Sequence, residues 1–164
     1  MLKTFIANCI LAMAFTAHAV PAVGSPPPDN LGVDPKGEHM LVSAFSGKVL
    51  VITFWASWCP YCIKELPVLH NIQNKIGRDR LQVIAVNTED RDVFKRVVRL
   101  MAPLNMLHSR DVEHGTQDAY GVKGIPHLVI VGRDGRIVAV HRGYGEEALP
   151  QIAADINRAL AAAD

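Results

Sequence analysis

Cysteine is scarce in this chain, with three among 164 residues. Cys59 and Cys62 form one Cys-x-x-Cys, and Cys9 stands apart near the start. A disulfide-stapled scaffold needs more cysteines at wider spacings, so cross-links are not what holds the fold. Charge of one sign is also lacking: Lys and Arg total 17, Asp and Glu 16. That balance excludes the clustered basic face of a nucleic-acid binder, and no nucleic-acid partner is expected. There is no internal repeat. No apolar run reaches the roughly 20 residues of a spanning helix. What remains is a chain of one-domain length, rich in aliphatic residues and suited to a buried core.

Residues 1–19 read as a signal peptide. Lys3 is the only charge before Asp29, Phe5 to Phe15 is a short apolar run, and Ala17-His18-Ala19 has the small-x-small form of a cleavage site. A retained membrane anchor is the competing reading, and the short run holding Asn8 counts against it. Cleavage removes Cys9 and leaves the Cys-x-x-Cys in an oxidising compartment, here the periplasm. Residues 20–37 form a lead-in containing Pro21, Pro26, Pro27, Pro28 and Pro35, expected as a solvated arm.

The rest, 38–164, alternates. Val49 to Trp55 is a nearly continuous β-branched and aromatic run, typical of a strand buried on both faces, and Leu81 to Val86 reads as a second buried strand. Between them, Leu66, Leu69, Ile72 and Ile76 fall on one helical face that starts near Cys59 and ends at Gly77. A second helix is expected over Asp90 to Met101, with Val93, Val97, Val98 and Leu100 apolar. A short strand near Met106 and a short helix near Gln117 follow. His127–Val131 and Arg136–Val140 flank Asp134-Gly135, a hairpin signal. Glu146 to Ala162 closes the chain as a helix. This order predicts an α/β sandwich, a mixed central sheet flanked by helices.

The cysteine pair sits where a strand gives way to a helix. Unpaired N–H groups and the positive dipole end favour a thiolate there, so Cys59 is the expected nucleophile. Pro60 suits the first turn, and Cys62 lies one turn deeper. Cys59 would attack a substrate disulfide and Cys62 would resolve the mixed disulfide, or the reverse. Half of a zinc site is the competing reading. Zinc takes four ligands, and no second Cys pair or matching histidine spacing supplies them, so no metal or other cofactor is expected.

Residues 49–62, with Lys64-Glu65 and Pro67, resemble the active-site region of the TlpA/ResA-type branch of the thioredoxin superfamily. Tyr120 to His127, followed by Gly132 to Val138, resembles the same branch. The resemblance implies a thioredoxin-like three-layer sandwich and a disulfide oxidoreductase. It implies a cis bond at Ile125–Pro126, with the Ile125 backbone pairing with substrate chain. A glutamate at the spacing of Glu65 lies near the active site in that branch, so Glu65 joins Cys59 and Cys62 as a catalytic candidate. As a plain helix residue, Glu65 reads equally as solvated. Trp58, Pro60, Tyr61, Ile125 and Pro126 form the expected substrate-binding set, Trp58 and Trp55 reading otherwise as packing. Thr53 occupies the strand position where cytoplasmic thioredoxins carry a buried aspartate, so that relay is absent.

His127 is read either as a titrating group beside the site or as a satisfied strand-start histidine. His39, His70, His108, His114 and His141 show no defensible pairing. The branch implies reduction of protein disulfides or thiols, including apocytochrome c cysteines, with a membrane electron donor; a monomer is expected. The alternative is a soft-metal carrier binding copper through Cys59, Cys62 and His127.

Overall fold

The computed structural model describes residues 20–143, 145 and 148–162. The leader at 1–19 therefore lies outside the described residues. Seven strands form one sheet: β1 (Asn30–Val33), β2 (His39–Leu41), β3 (Val49–Trp55), β4 (Leu81–Asn87), β5 (Leu107–Arg110), β6 (His127–Val131) and β7 (Ile137–Arg142). Among the described residues four α-helices accompany them, α1 (Pro60–Ile76), α2 (Arg91–Leu100), α3 (Gly115–Tyr120) and α4 (Leu149–Ala161), with a short 3-10 helix at Val42–Phe45. The spatial order is β2-β1-β5-β4-β3-β6-β7. The central strands β3, β4 and β5 are parallel, and β6 runs antiparallel to β3.

Burial explains the strands. Every residue of β3 and β4 is buried, because helices or chain cover both sheet faces. Odd-numbered residues of β3 (Val49, Val51, Trp55) join Leu66 and Leu69 of α1 and Ile152 and Ile156 of α4 in one core cluster. Even-numbered ones (Leu50, Ile52, Phe54) join Leu31, Tyr120 and Val129 in a second cluster on the opposite face. The period-two alternation of a strand sorts side chains between these layers.

The helix starts follow local chemistry. Asp90 caps α2 by accepting the N–H groups of Asp92 and Val93. Gly77 ends α1 at φ 97°, a backbone setting that suits glycine, and its N–H donates to Gln73 O at 2.8 Å. α1 runs on through Pro67, which lies on its exposed side. On α2 the buried residues are Phe94 and Val97, whereas Leu100, expected on the apolar face, is 72% exposed. The closing helix begins at Leu149; Glu146, where the sequence places its start, lies outside the described residues.

Residues 20–37 dock on the domain instead of projecting as the solvated arm expected of them. Gly24 N–H donates to Ile137 O, Ile137 N–H donates to Ser25 O, and the Tyr120 hydroxyl donates to Pro28 O at 2.7 Å. Asn30–Val33 then pairs with β5, and Leu31 is completely buried in the second core cluster. The proline-rich composition hid this, because a strap binds through backbone groups and one apolar anchor rather than through periodicity.

Candidate active site

β3 rises through the core and ends at Trp55. Four residues later Cys59 caps α1, with extended backbone angles (φ −95°, ψ 102°) and Pro60 in the first turn. The sulfur of Cys59 accepts the N–H of Cys62 at 3.1 Å, an orphan donor of the helix start. Cys59 and Cys62 are joined by a disulfide with Cα atoms 5.3 Å apart. Both are buried, while Trp58 and Tyr61 beside them are 70% and 58% exposed. A sulfur pair recessed between two exposed aromatics can be reached by a peptide that covers them.

Glu65 lies one turn beyond Cys62 on the buried face of α1 and is 1% exposed, so it is not a solvated helix residue. Its Oε1 accepts the hydroxyl of Thr53 at 2.7 Å. Burial raises the Glu65 carboxyl from 4.5 to about 7, and the Thr53 bond pulls against that rise. Thr53 therefore supports a buried acid that is contributed by the helix. The sequence contained a signal for it: Glu65 falls on the stripe of Cys62, Leu66 and Leu69.

The Ile125–Pro126 peptide bond is cis. Ile125 lines a groove of about 230 Å³ together with Trp58, Thr88, Gln117, Val122 and Lys123. The expected substrate-facing residues Trp58 and Ile125 thus share one groove, while Tyr61 lies outside its lining.

His127 opens β6, the strand-start position expected of it, but its ring is not satisfied there. It pairs with Phe54 in the β3–β6 register, and its ring meets Phe54 edge-on at 5.9 Å. Phe54 belongs to the second core cluster, whereas Cys59, Cys62 and Trp55 belong to the first. Neither ring nitrogen of His127 has a hydrogen-bond partner among the described residues, and burial lowers its pKa to about 4. His108 is lowered to about 4 for the same reason, its ring 6.3 Å from that of Trp55. His141, for which the sequence offers no partner, meets Asp155 at 2.9 Å and ties β7 to α4.

A redoxin family model matches residues 21–156. The chain belongs to the Redoxin family. The thiol-disulfide oxidoreductase ResA of Halalkalibacterium halodurans is 27% identical over 112 residues, 67% of this chain and 62% of that protein. The ResA of Bacillus subtilis is 25% identical over 126 residues, 77% of this chain and 70% of that protein. A DsbE-type thiol:disulfide interchange protein of Chlorobium tepidum superposes with a TM-score of 0.75 at 26% identity, covering 85% of this chain and 99% of that one. This redoxin is a thioredoxin-superfamily protein of the ResA/TlpA type, and its chemistry is dithiol–disulfide exchange at Cys59 and Cys62. No helix among the described residues is long and apolar enough to cross a membrane.

Proposed function

We propose that this redoxin reduces disulfides in proteins outside the cytoplasm, including the cysteine pairs of apocytochrome c before haem attachment. The observation that carries the proposal is a recessed Cys59–Cys62 pair at a helix start with a buried carboxyl one turn behind it. In the reduced enzyme, Cys59 as thiolate attacks one substrate sulfur. The substrate S–S bond breaks, its other sulfur leaves as thiolate and takes up a proton, and a mixed disulfide remains. Cys62 then gives its proton to the Glu65 carboxylate and attacks the Cys59 sulfur. The Cys59–Cys62 bond forms, and the second substrate thiolate leaves and is protonated. Two electrons have passed to the substrate, so a membrane dithiol donor must restore the enzyme.

An acid near 7 suits Glu65 to this transfer, because proton exchange is most effective when pKa and working pH coincide. Trp58, Pro60, Tyr61, Pro126 and the Ile125 backbone hold the substrate chain. Residues 1–19 direct export and are removed, and the 38–164 unit works as a monomer together with its docked strap. The leader pattern and the ResA relatives support this reading.

Redox titration of the couple against dithiothreitol and glutathione is the test. A potential near or below the roughly −270 mV of thioredoxin supports a reductase, and one near the roughly −120 mV of a strong oxidant refutes it.

A further inference from the structure

The three residues between β3 and Cys59 have little of their own to hold them. Ser57 and Trp58 are exposed, and the internal hydrogen bond is Cys59 N–H to Ala56 O at 3.1 Å. The loop after β4 supplies the restraint. Both oxygens of Glu89 clasp Ser57: Oε2 accepts the Ser57 N–H at 2.6 Å, and Oε1 accepts the Ser57 hydroxyl at 2.8 Å. Glu89 is itself aimed by fully buried Asn87, whose Nδ2 donates to Oε2 at 3.1 Å and whose Oδ1 accepts the Glu89 N–H at 3.0 Å. One residue earlier, Thr88 N–H donates to Trp55 O at 3.0 Å. The end of β4 therefore grips the segment that presents the leading sulfur, from Trp55 to Ser57.

We propose that Glu89 is a positioning residue for the Cys59–Cys62 couple, acting through Ser57. Two effects point the same way. The clasp keeps the Cys59 backbone in the geometry that closes the disulfide, which favours the oxidised form. Its carboxylate charge, held two residues from Cys59, disfavours the thiolate of the reduced form. Glu89 thus biases the couple toward the disulfide, and its loss makes the protein a weaker reductant.

The inference rests on reversible exchange at this couple, and the experiment separates the two. Equilibrium constants against glutathione are measured for wild type, Glu89→Gln, Glu89→Ala, Ser57→Ala and Ser57→Ala/Glu89→Ala. A wild-type couple that fails to cycle sinks the exchange reading itself. Given a cycling wild type, Glu89→Gln and Glu89→Ala are expected to shift the equilibrium about three- to tenfold toward the dithiol, a tenfold shift being about 30 mV for two electrons. Ser57→Ala is exposed, keeps the fold, and should shift it less in the same direction. The double variant should match Glu89→Ala, because partners in one clasp do not contribute additively. Values within twofold of wild type for Glu89→Gln and Ser57→Ala, or simple additivity in the double variant, overturn the proposal. Ser57→Ala decides the matter even if the Glu89 variants do not fold.

Discussion

Replacing Glu65 with glutamine should change how stability depends on pH. The group is 1% exposed, and burial raises its pKa from 4.5 to about 7. Between those values the folded protein holds a proton that the unfolded chain has released. Stability therefore falls as pH rises through this window, and the full penalty is in force above the folded value. At about 1.4 kcal/mol per pH decade, the wild type should lose about 3 kcal/mol from this group alone. Glutamine keeps an oxygen to accept the Thr53 hydroxyl but carries no proton to lose. Urea unfolding of the oxidised proteins, in which Cys59 and Cys62 do not titrate, would read the difference. The variant should gain about 2–4 kcal/mol over wild type at about pH 8, and that gain should vanish at about pH 4. The exchange rate should also fall, with the inflection near neutrality lost. Parallel stability curves for the two proteins across this range would refute the burial argument, and an unchanged pH–rate profile would remove Glu65 from the chemistry.

Three further outcomes follow from the same geometry. Gly32→Ala should cost more than about 2 kcal/mol in denaturant unfolding, because φ is +87° there and the added Cβ runs into the Arg110 carbonyl of the neighbouring strand. Tyr120→Phe removes the hydroxyl that holds Pro28 O at 2.7 Å; it should cost about 1 kcal/mol and speed protease cleavage within the strap. Trp58→Ala should leave stability within about 0.5 kcal/mol, since the ring is mostly exposed, while raising KM for protein disulfides several-fold.

The sequence reading held where one physical rule acts alone along a short stretch. The doubly buried strands Val49–Trp55 and Leu81–Asn87 appear as largely apolar runs, broken only by Thr53, Gln82 and Asn87, because solvent reaches neither face. The start of α1 at Cys59-Pro60 and its end at Gly77 follow from capping and from backbone freedom, both local. Leu100 went astray because an apolar type does not by itself say which way a helix turns its face; Phe94 and Val97 face the core instead. The strap 20–37 was lost because its partners, Ile137 and Tyr120, lie about a hundred residues away and meet the strap's backbone groups, Ile137 through its own backbone and Tyr120 through its hydroxyl.

The Cys-x-x-Cys, its place between strand and helix, and hence thiol exchange, were written in the order of residues 49–62, since neighbours in the chain must be neighbours in space. The chain order was silent on what surrounds those sulfurs. Thr53 and Glu65 come together only because β3 packs beneath α1, and Ser57 meets Glu89 only because β4 lies beside β3. His127, adjacent in sequence to Pro126, is turned to the other layer by the alternation of β6. Packing therefore decided the environment of the cysteines, because solvation and charge depend on distance through space rather than along the backbone.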